Sequence, residues 1–330
     1  VRLISTPEEA VAGTTAYLTI CFIGIPCITA YNVLASIFRG MGDSRSPMYF
    51  IAAACVVNIG LDFFFMGALR LGPAGAALGT TLSQAGSVLL ALCVILKRRS
   101  IRLSKSDFCP RKATMKDILA IGLPVAAQDG FIQVSFMLIT IMANQRGLTD
   151  AAAVGIVEKI ISFLFLVPSS MLSTVSALGA QNIGAGKYDR TDDILRYAIA
   201  IGVGFGAVMA LLMQFIAPGV VRPFTSDEAV VLAGAAYIRS YIFDCLFAGI
   251  QFSFSGYFCA WGKSGLSFLH NTLSILLVRV PGAWLACQFF PQTLVPMGLA
   301  PACGSLFSSV VCVLLYRHLK RQDKAAKRRD

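Results

Sequence analysis

Ser36–Tyr49 reads SIFRGMGDSRSPMY, a polar hinge set between two long apolar runs. It gathers two glycines, two arginines, an aspartate and a proline in a chain that is otherwise mostly hydrophobic. Far downstream, Phe258–Phe268 reads FCAWGKSGLSF, a worn copy of the same hinge. A polar landmark that recurs between apolar segments points to an internally repeated helical unit.

The composition agrees with that reading. Hydrophobic residues make up 56% of the chain, charged residues 14%, and the mean hydropathy is +0.73. A soluble domain usually has about a quarter charged residues, and apolar runs of about 20 residues or more read as membrane spans. Soluble-enzyme classes are set aside on this ground. The net charge of +11 does not describe a nucleic-acid surface. The basic residues sit in short segments between apolar runs, as cytoplasmic loops do. The ten cysteines are scattered, mostly inside those runs, without zinc-site or dithiol spacing, and read as small hydrophobic filler. No signal peptide is visible after Val1, and the true amino terminus is expected upstream.

Nine segments are long enough to cross a bilayer: 14–37, 48–69, 74–96, 118–143, 151–178, 194–217, 231–258, 266–289 and 296–317. Breaks are expected at Pro26, Pro168 and Pro281-Gly282, facing protein or water because lipid cannot satisfy freed backbone groups. Gly202 and Gly206 have the GxxxG spacing of close helix packing. Most of the 28 Lys and Arg residues fall on alternate connections and the carboxyl tail, whereas Arg2, Arg70, Arg146 and Arg222 fall on the other side. This bias puts the carboxyl terminus in the cytoplasm of a multi-pass plasma-membrane protein.

The echo extends past the hinge. Thr6–Val11 (TPEEAV) and Thr225–Val230 (TSDEAV) each precede a span, Tyr17 and Tyr237 fall early in those spans, and Gly75 and Gly298 open the third span of each set. An even number of crossings separates the two sets, so the repeat is parallel, as in transporters built of two lobes. Three spans precede the second set, so symmetry predicts three more upstream of Val1, giving a parent of twelve.

On these residues the chain resembles the multidrug and toxic compound extrusion (MATE) family, within a superfamily that includes lipid-linked oligosaccharide flippases. The stretches that carry the resemblance are Phe38–Ser44 (FRGMGDS), Asn58–Asp62 (NIGLD), Gly75–Thr80 (GAALGT), Ile121–Pro124 (IGLP) and Gln181–Lys187 (QNIGAGK). The resemblance implies an all-α integral membrane fold of two helical lobes, with nine of the family's twelve spans in this chain. Residues 1–96 would form part of the amino-terminal lobe and 97–117 a basic cytoplasmic linker. Residues 118–317 would form the complete carboxy-terminal lobe and 318–330 a basic tail.

Ionisable residues inside spans are functional candidates, because an unpaired charge there is costly. Asn58 and Asp62 are four apart and share a helix face. A carboxylate beside an amide suits a hard cation or a proton carrier. The resemblance adds Thr80 and implies a coupling site for H⁺ or Na⁺ at Asn58, Asp62 and Thr80, with a further acidic ligand on a helix outside this chain. A candidate cavity in the carboxy-terminal lobe comprises Asp129, Gln133, Glu158, Asp244, Gln251 and Arg279. Some relatives carry an acid where Ala248 stands, so a second cation site is in doubt unless Asp244, one turn away, substitutes.

Gln181–Lys187 lacks the first glycine and the final Ser or Thr of a phosphate loop. His270 and His318 lack metal-ligand spacing, and no nucleophile–base–acid arrangement suggests an enzyme. The leading expectation is a cofactor-free, monomeric antiporter that exchanges H⁺ or Na⁺ for small organic, often cationic, compounds, with the lipid bilayer as its environment and no nucleic-acid partner. The alternatives are a lipid-linked oligosaccharide flippase and a non-transporting truncated membrane protein.

Overall fold

The computed structural model of the chain describes residues 8–98, 109 and 111–326. The Thr6–Pro7 landmark, most of the basic linker and the end of the basic tail lie outside the described residues. The chain divides into two compact units, Val1–Cys109 and Pro110–Asp330. Nine helical segments among the described residues are long and apolar enough to cross a membrane, from Val11–Gly40 to Val295–Gln322, one for each segment expected from the sequence.

Unit 1 contains α1 (Glu8–Gly40), α2 (Arg45–Asp62) continued by a π-helical turn over Phe63–Ala68, and α3 (Pro73–Arg98). Helix α3 packs on both α1 and α2. Apolar helices gain little from the hydrophobic effect in lipid, so small residues that permit close approach do the work. Gly13 lies against Pro73 and Gly24 against Thr81, where a Cβ would come within 2.7 Å of the Thr81 hydroxyl. Near the hinge, Tyr31, Ala35, Phe38, Phe50, Ala91 and Ile95 form the core, and Tyr31 donates to the Pro47 carbonyl at 3.1 Å.

Unit 2 contains α4 (Lys112–Gln145), α5 (Leu148–Leu164), α6 (Leu166–Gly184), α7 (Tyr188–Val221), α8 (Glu228–Tyr241), α9 (Phe243–Ala260), α10 (Ser264–Ser274), α11 (Val280–Phe289) and α12 (Val295–Ala326). Helices α5 and α6 form one interrupted span, as do α8 and α9, and a π turn at Ile275–Arg279 joins α10 to α11. The Gly202–Gly206 pair packs α7 directly on α9. A Cβ on Gly202 would meet Gly249 Cα at 2.8 Å, and one on Gly206 would meet Leu246 Cα at 2.6 Å.

The repeated hinge has one backbone solution. Gly42 adopts φ 88° and Gly262 φ 69°. In each, the residue after the glycine donates back across the turn: Asp43 N to Phe38 O at 2.9 Å, and Lys263 N to Phe258 O at 2.8 Å. This closes the last carbonyls of α1 and α9 and requires a left-handed residue, which glycine adopts without Cβ strain. Gly186, at φ 71°, ends α6 in the same way, with Lys187 N bonded to Asn182 O at 2.8 Å.

The expected break at Pro26 is not observed: α1 runs uninterrupted through it. Pro168 follows the break at Phe165, and Pro281 follows the π turn. Proline has no N–H to bond the carbonyl four residues back, here Leu277 in the π turn, and the wider turn absorbs that defect. The break at Ile242 has no proline. Its observed support is Cys245, which contacts the Leu164 carbonyl at 3.9 Å, beside the α5–α6 interruption.

Candidate functional site

In unit 1 the Asn58 amide donates to Asp62 Oδ1 at 3.4 Å along one face of α2. That face is opposed by Gly79 on α3. A Cβ there would collide with the Asp62 carboxylate and come within 3.4 Å of Asn58 Nδ2. Thr80, next in the chain, donates its hydroxyl to the Ala76 carbonyl at 3.0 Å. Asn58 and Thr80 line one cleft of about 220 Å³ with Ser83, Gln84 and Ser87. Asp62 instead opens on a neighbouring apolar cleft bounded by Ile59, Phe63, Met66 and Gly67. Asn58 therefore stands between the carboxylate and the hydroxyl cleft. All three residues are half-buried. Tyr17 on α1 lies within electrostatic reach of Asp62.

In unit 2 the acids are neutralised differently. Asp244, at the start of α9, is 0% exposed, and its Oδ2 lies 4.0 Å from Arg279 Nη2. Arg279 is itself buried, donates to the Tyr241 hydroxyl at 2.8 Å and stacks over the Phe136 ring at 4.8 Å. Neither Asp244 oxygen has a hydrogen bond of normal geometry among the described residues. Glu158 on α5 lies beside Thr140 on α4, with oxygens 3.1 and 3.3 Å from its hydroxyl, and is in the field of Arg279. Gln251 donates to Ser305 at 3.1 Å. Asp244 and Arg279 thus form one buried pair with Glu158 within electrostatic reach of the guanidinium, and Gln251 lies on the next turns of α9.

Asp129 and Gln133 are not part of it; both lie on an exposed face of α4. Their neighbour Gln128 points inward and accepts from Ser267 at 2.6 Å. His270 bridges Ser255 at 3.0 Å and Ser308 at 2.7 Å, tying α10 to α9 and α12. Sequence reasoning did not single out Thr140, Tyr241, Phe136 or Gly79. Tyr17 and Tyr237 were only landmarks of the repeat, yet each lies in the field of its unit's acids. Recurrence at a matched position was the available signal.

Apolar spans enclosing carboxylates, amides and one guanidinium define a multi-pass membrane protein with polar centres inside its helix bundles. A MatE family profile matches residues 1–64 and 124–285. The chain belongs to the MatE family. It is 30% identical over 320 residues to the probable multidrug resistance protein YpnP of Bacillus subtilis, covering 96% of this chain and 71% of that protein. It is 26% identical to the multidrug export protein MepA of Staphylococcus aureus, over 79% of this chain and 58% of that protein. Its fold matches that of a MOP superfamily transporter from Pyrococcus furiosus, with a TM-score of 0.90 at 21% identity, covering 96% of this chain and 72% of the other.

Proposed function

We propose that the protein is a secondary active exporter of small organic, often cationic, compounds, driven by H⁺ or Na⁺ moving inward. The observation that carries this reading is Asp62: a half-buried carboxylate inside a span, held by the Asn58 amide and given room by Gly79. Such a group is costly in an apolar span and typically marks an ion or substrate pathway. The names of the relatives, a multidrug resistance protein and a multidrug export protein, support the substrate class. The Asn58 amide beside the Asp62 carboxylate offers both an N–H donor and a carbonyl oxygen, so the pair suits either a proton or Na⁺. The basic residues on alternate connections support a plasma-membrane protein with a cytoplasmic carboxyl terminus.

The flippase alternative needs basic side chains facing a cavity to hold a pyrophosphate. Arg279 is unavailable for this, being buried against Asp244, Tyr241 and Phe136.

Everted vesicles containing the full-length protein test the reading. Asp62→Asn preserves shape and removes the charge, and it should abolish gradient-driven export of a fluorescent organic cation at equal expression. Imposed pH and Na⁺ gradients, applied separately, identify the coupling ion. Wild-type export by Asp62→Asn would remove Asp62 from the coupling mechanism.

A further inference from the structure

We propose that the start of α4 holds an acidic phospholipid, with its phosphate headgroup at Lys112 and Lys116 and an acyl chain along Met115, Leu119 and Leu123. These residues, with Ala120, line a cleft of about 700 Å³, and all belong to unit 2. The lining contains none of the carboxylates considered above.

Helix length puts this cleft at the membrane surface. The 34 residues of α4 extend about 50 Å, whereas the hydrocarbon core is about 30 Å thick, so the helix carries its ends into the headgroup layers. Its far end is fixed by Arg146, which donates to the carbonyls of Phe290 at 3.1 Å, Pro291 at 3.0 Å and Thr293 at 3.0 Å. That polar loop marks the opposite surface, so the excess length falls at the start of α4. Under the proposed orientation this is the cytoplasmic leaflet.

Charge and shape then select the ligand. Lys112, Lys116, Leu119 and Leu123 stand at positions i, i+4, i+7 and i+11, one face of the helix. The lysines come first and the leucines after, the order in which a phospholipid presents its headgroup and its chain. Lysine stems lie along apolar surface while the ammonium stays at headgroup level. Met115, Leu119 and Leu123 are 48%, 55% and 66% exposed, so the apolar part is open along its length. Asp117 is the only acid between Lys112 and Leu123; it lies about 100° around the helix from Lys116 and is not in the lining. The Ser264 hydroxyl donates to the Ala120 carbonyl at 3.2 Å, which sets the start of α10 against α4 and brings the exposed Lys263 alongside as a third cation. A free phosphate would satisfy the lysines and leave the leucines bare, whereas an acidic phospholipid meets both. The inference does not depend on the reading of Asp62 and holds for either coupling ion.

Quenching by brominated lipids tests the site in the full-length protein in liposomes. Leu119→Trp places a fluorophore in the cleft, and the signal of Trp261 and Trp284 is subtracted with the parent protein. Brominated phosphatidylglycerol should quench the new signal at about fivefold lower mole fraction than brominated phosphatidylcholine. That preference should disappear in Lys112→Gln/Lys116→Gln and remain in both Lys112→Arg/Lys116→Arg and Arg317→Gln/Arg321→Gln. Equal quenching by the two lipids would overturn the proposal by reducing the cleft to ordinary lipid contact. Quenching by neither would overturn it too, since protein would then cover the face. A preference that survives Lys112→Gln/Lys116→Gln, or is lost in Arg317→Gln/Arg321→Gln, would assign the effect to general basic charge and not to this cleft. Relief of phosphatidylglycerol quenching by added glycerol phosphate would make it a site for free phosphate and sink the lipid assignment.

Discussion

Asp62 in unit 1 and Asp244 in unit 2 are carboxylates inside apolar spans, yet their surroundings differ. Asp62 is half-buried, faces a cleft and is held by a neutral amide. Asp244 is fully buried and sits beside a guanidinium. A carboxylate held by an amide can change charge state without leaving an opposite charge behind. One paired with a buried arginine cannot. The difference separates a centre suited to exchange from a fixed ion pair.

Removing the counter-charge should break this contrast most visibly. Arg279→Met strands the fully buried Asp244 beside an empty cation position, and breaking a buried pair from one side costs about 3–5 kcal/mol. Reversible unfolding in mixed micelles at neutral pH should show that loss. The double variant Arg279→Met/Asp244→Leu should recover most of it, because no buried charge is left without a partner. Asp62→Asn should cost about 1 kcal/mol or less by the same measurement, since only one hydrogen bond changes. Equal stability of Arg279→Met and wild type would mean that Arg279 is not what neutralises Asp244.

A smaller effect separates the glycines of the two units. Gly202 meets the backbone of Gly249, which cannot move aside, so Gly202→Ala should destabilise unit 2 by about 1–3 kcal/mol. Gly79 meets the end of the Asp62 side chain, which can rotate. Gly79→Ala should therefore leave the thermal midpoint near wild type while lowering export as Asp62→Asn does. A large drop in midpoint for Gly79→Ala would show that the glycine serves packing and not the site.

Much of this contrast was legible in the sequence, and the illegible part has physical causes. The nine spans follow from apolar length, and the hinge from glycines that must adopt positive φ, so both were readable. Asn58 and Asp62 share a face because helical geometry fixes four-residue spacing. Thr140 and Tyr241 were not readable, because a hydroxyl inside a span gains meaning only when a neighbouring helix brings it an acid or a guanidinium. Asp129 and Glu158 looked alike as lone acids in spans, yet one lies on an exposed face of α4 and the other beside Thr140. Pro26 misled for the opposite reason: a proline in a long helix need not interrupt it when packing against α3 holds both sides. Ile242 interrupts a span with no local signal at all.

The smallest effect belongs to the hinges, where the two units use one backbone and different side chains. In unit 1, Asp43 accepts from the Ser46 N–H at 3.0 Å and from the Ser46 hydroxyl at 2.6 Å, capping the first turn of α2. In unit 2 the matching position is Lys263, whose own carbonyl accepts from Leu266 N–H at 2.9 Å. One free N–H is met by a side chain in the first hinge and by the main chain in the second. Asp43→Ala should therefore cost about 1 kcal/mol, the usual loss of a side-chain cap. Lys263→Ala should stay within about 0.5 kcal/mol of wild type, as exposed substitutions do. Amide hydrogen exchange resolves the difference locally: protection at the start of α2 should fall in Asp43→Ala, while that at the start of α10 should hold in Lys263→Ala. Equal losses at both would mean that the shared backbone turn, and not the Asp43 carboxylate, secures the start of α2.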